Sequence, residues 1–322
     1  MANYKRKMTD AIGGYFGLEL RQGEHYHRDA IRLNTGRNCF EYILRARGYK
    51  HVWIPYYTCK VLLEPLQKLK ISCSFYAIND VLEPLTLPVL QKDEAFLYTN
   101  YFGLKQKAVE RLTATYGKRL IVDNAQAFFA PHLDGTDTFY TARKFFGVPD
   151  GAYLYTDVAL DIDLPQDVSA ERMSHLLKRL DCSAESGFAD YQQNEEDLCN
   201  QQIKRMSRLT ERLLENIDYK AVAKQRRENY QKIEQALQAS NRLILSMSED
   251  AVPMVYPYWI PNGAEFRQSL QQQRIYTATY WPNVIQLNSP TLEQNLSTNL
   301  LPLPIDQRYN KKEIEYIKNQ LI

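Results

Sequence analysis

Residues 34–38, with the sequence NTGRN, place a capping residue and a glycine directly before a predicted helix. Backbone amides in the first turn of a helix have no acceptor within the helix, so an anion can bind to them. This segment could therefore hold a phosphate group. A plain helix N-cap has the same pattern, and the segment alone does not separate the two interpretations.

Asp123 and Gln126 form a second candidate site at the end of a predicted apolar strand. A carboxylate buried at a strand end costs free energy unless a cation pairs with it. Gln126 adds a side-chain amide shortly after it, so a ligand at this strand end would meet an anion and a hydrogen-bonding group. A helix cap or a turn residue is the alternative interpretation of Asp123.

Lys144 lies between aromatic residues and two glycines, before a predicted strand at residues 152–155. Such a lysine could be partly desolvated, and burial lowers the pKa of an amine. The neutral amine is the form that condenses with an aldehyde. The alternative is a surface lysine whose aliphatic stem lies on apolar neighbours.

The elements around these residues alternate between two sequence periods from residue 35 to residue 155. Strand-like segments at residues 51–57, 71–78, 95–102 and 119–123 take turns with segments that have apolar residues at helical spacing. Parallel neighbours in a sheet need long crossovers, which helices usually supply. The alternation predicts an α/β domain with a mostly parallel sheet, helices on both faces and ligands at the carboxyl ends of the strands.

The pattern changes after about residue 157. Residues 195–239 are charged and helical in character, with one apolar stripe. Strand-like pieces at residues 252–260 and 275–278 precede a closing helix at residues 311–321, which predicts a smaller α+β domain. We predict three parts: an N-terminal arm at residues 1–32, a large domain at residues 33–219 and a small domain at residues 220–322.

Composition limits the classes of partner. The 322 residues carry 40 basic and 38 acidic side chains, for a formal net charge of +2. This charge does not call for nucleic acid or an anionic membrane as a partner. No apolar run is long enough to span a bilayer, so we expect no membrane partner and no nucleic acid.

The five cysteines are odd in number and include no C-x-x-C pair, which indicates neither a disulfide framework nor a zinc site. Reduced thiols in a cytoplasm fit this pattern, and the amino-terminal segment lacks the continuous apolar stretch of a signal peptide. His25 and His27 have no acidic or cysteine neighbour to complete a metal site. We expect a cytoplasmic protein without a bound metal.

Pyridoxal 5′-phosphate needs a phosphate site, an anion and an amine. The predicted parallel-sheet domain offers all three: a helix start that could bind phosphate, an aspartate at a strand end and a lysine. The chain also resembles the DegT/DnrJ/StrS family of sugar aminotransferases, which are pyridoxal-phosphate enzymes of fold type I. Lys144 falls where the family's cofactor-binding lysine is expected. Four segments agree with the family in order, namely residues 33–38 (LNTGRN), 54–58 (IPYYT), 123–127 (DNAQA) and 301–304 (LPLP).

The resemblance implies a role for each residue near the cofactor ring. Asp123 would face the pyridine nitrogen and keep it protonated, and Gln126 would contact the phenolic oxygen. Lys144 would attach the cofactor and carry the proton during amino transfer. Tyr57 would supply an aromatic group near the ring face.

The resemblance also implies how the phosphate and the substrates are bound. Gly36 and Arg37 would offer their backbone amides to the phosphate, and Thr141 would add a hydroxyl. The family works as homodimers that complete each site across a two-fold axis. The expected substrates are an amino donor such as glutamate and a keto sugar linked to a nucleotide.

Three departures from the family pattern leave other functions open. Cys59 replaces a ring-stacking aromatic residue, Ile203 replaces an asparagine that reaches the partner subunit's cofactor, and residues 148–152 (VPDGA) replace a G-E-G-G turn. One alternative is a relative that binds the cofactor but performs a dehydration or uses another carbonyl acceptor. The other alternative is a non-catalytic scaffold of the same fold.

Overall fold

The computed structural model describes residues 12–321, so the first eleven residues of the expected N-terminal arm lie outside the described part. Seven strands form one sheet in the order β1-β7-β6-β5-β4-β2-β3. The strands are β1 (Ile31–Leu33), β2 (His51–Pro55), β3 (Ser72–Tyr76), β4 (Glu94–Thr99), β5 (Leu120–Asn124), β6 (Asp137–Thr141) and β7 (Ala152–Tyr155).

Most strands of this sheet run in one direction. β2 pairs in parallel with β3 and β4, and β5 pairs in parallel with β4 and β6. β7 runs antiparallel to β6 and β1 runs antiparallel to β7, so β1 points the same way as the parallel strands. Every strand except β7 therefore ends at one side of the sheet, called the carboxyl edge below. The predicted mostly parallel sheet is confirmed.

Helices cover both faces of the sheet, as predicted. On one face, α1 (Gly36–Arg47) and α2 (Leu63–Leu69) share a buried cluster with Ile121 of β5. On the other face, α3 (Gln106–Tyr116) shares a cluster with Leu120 of β5. Adjacent residues of a strand point to opposite faces, which is why β5 contributes to both clusters.

Helix α1 begins and ends at the capping residues that its sequence indicates. The Thr35 side chain accepts a hydrogen bond from the N–H of Asn38 at 3.1 Å. Gly48 ends the helix with a φ of 69°, and its N–H donates to the carbonyl of Leu44 at 3.0 Å. These caps fix the first turn of α1 at the carboxyl edge.

The single apolar stripe predicted across residues 195–239 is wrong, because the chain breaks twice there. The hairpin of α4 (Ser174–Asp181) and α5 (Phe188–Asp197) is followed by α6 (Arg208–Glu215) and α7 (Tyr219–Leu237). Ser207 caps α6 and Asp218 caps α7, each through its side-chain oxygen. Such caps satisfy the first amides of a new helix and so favour a break before it.

The C-terminal part contains a two-stranded antiparallel sheet of β8 (Val255–Trp259) and β9 (Leu300–Pro304). Its core packs against α7, which begins one residue before the boundary predicted at residue 220. The division into domains stays a prediction. The remaining helices are α8 (Gly263–Gln272), α9 (Asn283–Gln286), α10 (Thr291–Asn299) and α11 (Lys311–Asn319).

No helix within residues 12–321 is long and apolar enough to cross a membrane. The same residues contain no group of three His, Cys, Asp or Glu side chains that could hold a metal ion. His25 and His27 are instead buried and hydrogen-bonded, with His25 Nδ1 2.7 Å from the Tyr153 hydroxyl and His27 Nε2 2.8 Å from the Phe128 carbonyl. Both histidines therefore belong to the protein interior.

Candidate active site

The carboxyl edge brings together the residues that the sequence marks for chemistry. α1 begins at Gly36, just after β1 ends, and Asp123 lies near the end of β5. Thr141 is the last residue of β6, which pairs with β5, and Lys144 lies in the turn that follows. The strand topology alone thus places four candidate residues at the same edge.

Two backbone amides at the start of α1 are not used by the helix. The N–H of Cys39 makes the first helical hydrogen bond, to the carbonyl of Thr35 at 3.0 Å, and the N–H groups of Gly36 and Arg37 precede it. A Cβ atom built on Gly36 would lie 3.9 Å from the Cβ of Thr141, so the Thr141 side chain is next to this turn. Amides and hydroxyl together are a set of donors suited to a phosphate.

The guanidinium of Arg37, unlike its backbone amide, is hydrogen-bonded to other side chains of the protein. Nη1 donates to Glu64 Oε2 at 2.9 Å and to Cys199 Sγ at 3.2 Å. The side chain is 6% exposed. This geometry is compatible with the predicted use of the Arg37 amide, which stays a prediction.

Asp123 is a buried carboxylate in an electrostatically unfavourable place. The N–H of Ala125 donates to Oδ1 at 2.8 Å, and the Thr99 hydroxyl lies 3.5 Å from Oδ2. Burial raises the pKa of Asp123, and the positive charge of Lys144 opposes that shift. A cationic ligand group beside Asp123 would therefore be stabilised strongly.

Gln126 has a spare hydrogen-bond donor. Its Oε1 accepts a hydrogen bond from the N–H of Phe102 at 2.9 Å, which fixes the orientation of the side-chain amide. The Nε2 group is buried and has no acceptor among residues 12–321. Buried donors in folded proteins are almost always paired, so this one favours a ligand oxygen at the site.

Lys144 is exposed, which favours the second interpretation given above, a surface lysine. The N–H groups of Phe145 and Phe146 both donate to the carbonyl of Ala142, which folds the chain into a tight turn. The two phenyl rings pack into the core, at 3% and 6% exposure, and leave the lysine side chain on the surface. The amine is thus accessible to a ligand at the carboxyl edge.

Tyr57 lies in the interior where the sheet meets the C-terminal part. Its ring is 5.0 Å from the Trp281 ring and 5.7 Å from the Tyr101 ring. Burial raises the pKa of Tyr57 well above its ordinary value, and within residues 12–321 its hydroxyl has no hydrogen-bond partner. A role for Tyr57 beside a cofactor ring stays a prediction.

Asp150 and Ser207 anchor the Lys144 turn, a contact that sequence reasoning missed. Asp150 is fully buried and accepts hydrogen bonds from the Ser207 N–H at 2.8 Å and the Ser207 hydroxyl at 2.7 Å. The Thr210 hydroxyl also donates to it. An Asp-Gly pair resembles an ordinary turn signal. Because its partners are distant in sequence, no local pattern could have revealed the anchor.

Ile203, which replaces the expected asparagine, is a core residue. It is 4% exposed and packs in the same cluster as Leu33. The next residue, Lys204, donates to Gln201 Oε1 at 3.1 Å, whereas Arg205 is exposed. Arg205 is therefore the more exposed of the two cations that follow Ile203.

No protein-family model and no curated protein matches the sequence. Solved structures do match it. A DegT/DnrJ/EryC1/StrS aminotransferase from Brucella abortus is 13% identical with a TM-score of 0.59, covering 90% of this chain and 84% of that one. The dehydratase ColD, solved with bound GDP-perosamine, is 12% identical with a TM-score of 0.61, covering 91% and 88%. NtdA from Bacillus subtilis, solved with bound cofactor PMP, is 13% identical with a TM-score of 0.62, covering 91% and 72%.

These likenesses confirm the fold class predicted from the sequence. The chain has the fold that these three solved structures share, over about nine-tenths of its length. The sequence segments that resemble the DegT/DnrJ/StrS family lie at the carboxyl edge and in β9 of that fold.

Proposed function

We propose that the protein is a pyridoxal 5′-phosphate-dependent aminotransferase. The observation that carries the proposal is the convergence of four groups at the carboxyl edge. They are the unused amides of α1, the buried carboxylate of Asp123, the unpaired Nε2 of Gln126 and the exposed amine of Lys144. This set matches a ligand that carries a phosphate, a basic ring nitrogen, an oxygen and an aldehyde.

Each group would hold a different part of the cofactor. The amides of Gly36 and Arg37, with the Thr141 hydroxyl, would bind the phosphate. Asp123 would hold a proton on the pyridine nitrogen, because burial makes its charge costly until a cation faces it. Gln126 would donate its Nε2 to the phenolic oxygen.

The bound cofactor would supply an electron sink next to the substrate carbon that loses or gains the amino group. Lys144 would supply the amine that attaches the cofactor, and its Nζ would then move the proton at that carbon. Exposure of Lys144 leaves the amine accessible to incoming substrate. Asp150 would keep the lysine turn in position through its contacts with Ser207.

The proposed substrates are an amino donor, expected to be glutamate, and a keto sugar linked to a nucleotide. The likeness to ColD, a GDP-4-keto-6-deoxymannose-3-dehydratase solved with GDP-perosamine, supports both the keto sugar and the nucleotide, and the likeness to a DegT/DnrJ/EryC1/StrS aminotransferase supports the amino transfer. A homodimer is part of the proposal, because two-fold dimers are the commonest soluble assembly. Five free thiols support a reducing, cytoplasmic location.

A dehydration of a keto sugar is the second candidate, and the likeness to ColD is the observation that favours it. The replacements at Cys59 and Ile203 also separate this chain from the aminotransferase pattern. The two reactions differ in their products, since amino transfer adds nitrogen and dehydration removes water. Mass spectrometry of the sugar product separates them.

The test of the proposed function loads the protein with pyridoxamine phosphate and adds one carbonyl compound at a time. The panel contains nucleotide-linked keto sugars and simple keto acids, and absorbance follows the return of the aldehyde form. We expect a nucleotide-linked keto sugar to drive that return. A response to keto acids alone would rule out the sugar as amino acceptor. A response to none, with no dehydrated sugar by mass spectrometry, would favour the non-catalytic scaffold.

A further inference from the structure

Three arginines converge beside the Lys144 turn. Arg37 lies in the first turn of α1, Arg143 directly precedes Lys144, and Arg172 lies just before α4. The charges of Arg37 and Arg172 both act on Arg143. All three side chains are largely buried, at 6%, 15% and 12% exposure, so their mutual repulsion is screened less than it would be in water.

Within residues 12–321, each arginine forms an ion pair with one carboxylate, and the three carboxylates differ in how many other contacts hold them. Arg37 pairs with Glu64, Arg172 with Asp167, and Arg143 with Glu195 of α5. Glu64 also accepts a hydrogen bond from the Asn200 N–H, and Asp167 also accepts one from Val168.

Glu195 is the loosely held member of this set. Its side chain is 38% exposed, against 17% for Glu64 and 5% for Asp167. Within residues 12–321 its carboxylate has no hydrogen-bond donor besides Arg143. An exposed carboxylate with one partner can be displaced at little cost. Arg143 is therefore the arginine of the three that an incoming anion could reach.

Two of these arginines have buried N–H groups without a hydrogen-bond acceptor in the described part of the chain. The Nε groups of Arg143 and Arg172 are both buried and have no acceptor among residues 12–321. A guanidinium donates through five N–H groups and binds planar anions through two of them at once. Burial, reinforced by Arg37 and Arg172 and opposed by Tyr191 and Asp150, lowers the pKa of Arg143 to about 10. Arg143 is thus still a cation near neutral pH.

We infer that Arg143, with Arg172 adding positive charge, binds an anionic group of the substrate, and that Glu195 occupies Arg143 until that group displaces it. The inference rests on the proposed function, because it places the anion next to the reacting amine of Lys144. The anion is a phosphate or a carboxylate. The nucleotide phosphates of the acceptor would supply the first, and the amino donor would supply the second.

Calorimetric titration tests this inference with the full chain, incubated beforehand with excess pyridoxal phosphate so that the α1 amides are filled. The probes are GDP, inorganic pyrophosphate and glutarate. Arg143→Gln should weaken binding of the recognised probe by about tenfold or more, as expected for loss of a charge-assisted pair. Glu195→Gln should instead strengthen it several-fold, since the competing carboxylate is gone.

Arg274→Gln is the matched control. It also breaks an arginine–glutamate pair, with Glu185 at 3.0 Å, but at an exposed site, where the two side chains are 71% and 43% exposed. Its affinity for every probe should stay within about twofold of wild type, since an exposed pair contributes little. Binding of GDP and pyrophosphate assigns the anion as a phosphate, and binding of glutarate alone assigns it as a carboxylate.

Equal weakening by Arg143→Gln and Glu195→Gln would overturn the inference, because a purely structural ion pair predicts that result. Failure of all three probes to bind the wild type would overturn it as well. Should Arg143→Gln not fold, the gain expected for Glu195→Gln decides the matter alone. Absorbance of bound pyridoxal phosphate reports separately on the proposed function. If Arg143→Gln weakens probe binding and Glu195→Gln strengthens it, but the protein does not bind pyridoxal phosphate, the anion site is supported and the proposed aminotransferase function is rejected.

Discussion

Lys144 acts electrostatically on Asp123, and its positive charge opposes the rise that burial imposes on the pKa of that carboxyl. The amine lies in an exposed turn after β6, whereas the carboxylate is buried near the end of the neighbouring strand β5. An accessible nucleophile and a buried anion therefore face the same region of the carboxyl edge.

Asp123→Asn should slow amino transfer without preventing cofactor binding. The amide cannot hold a proton on the pyridine nitrogen, so we expect a loss of about a hundredfold or more in the half-reaction with the amino donor. Stopped-flow absorbance measures this rate. Asp134→Asn, at an exposed position, should behave as wild type, and a near-normal rate in Asp123→Asn would remove the proposed role.

Gln126→Glu should weaken cofactor binding by at least about fivefold, because it replaces the spare donor with a buried carboxylate oxygen while keeping an oxygen for the Phe102 N–H. Gln126→Leu should in addition lower the free energy of unfolding by about 1–3 kcal/mol, since it leaves that buried N–H unpaired. Cofactor titration and chemical denaturation measure the two effects. Equal cofactor affinity in wild type and Gln126→Glu would show that Nε2 does not reach the ligand.

Much of this arrangement could be predicted from the sequence. The capping pattern at Thr35 and Gly36, and the apolar strand ending near Asp123, are local signals, and parallel topology then fixes which strand ends meet. Exposure of Lys144 could not be predicted, because it depends on which way one turn directs Phe145 and Phe146.

Contacts between residues far apart in the chain also could not be predicted from the sequence. The hydrogen bonds of Asp150 with Ser207 and the pairing of Arg143 with Glu195 join distant positions that carry no shared local pattern. Residues 195–239 show one apolar stripe, yet Ser207 and Asp218 start new helices within it. The capping side chains determine where each helix begins, even though the apolar stripe continues across the break.

Asp150→Ala should destabilise the protein and disturb the Lys144 turn. It removes a buried acceptor and leaves the Ser207 and Thr210 donors unpaired, so we expect the free energy of unfolding to fall by roughly 2–4 kcal/mol. Chemical denaturation measures this loss. Asp161→Ala, at an exposed position, should change stability little. A similar small effect for Asp150→Ala would mean that α6 does not anchor the turn.

Acid should destabilise the fold through His27. Burial lowers its pKa from 6.5 to about 4, so the folded state holds the neutral form. The folded-state pKa lies below the unfolded one. The contribution is therefore complete above about pH 6.5 and is lost as the pH falls towards 4, by roughly 3 kcal/mol.

His27→Phe cannot titrate at this position and should flatten that dependence. Denaturation midpoints at about pH 7.5 and pH 4.5 provide the comparison, with residual slope expected from His25, whose pKa burial also lowers to about 4. An unchanged slope in His27→Phe would show that the buried imidazole is not the group responsible.

Reduction of the protein–pyridoxal phosphate mixture with borohydride, followed by peptide mapping, tests the central claim most directly. The reagent fixes the cofactor to the amine that holds it. We predict a pyridoxyl group on Lys144, and its absence in Lys144→Arg with the fold intact by circular dichroism. A pyridoxyl group on another lysine, or on none, would contradict the assignment of the carboxyl edge as a pyridoxal-phosphate site.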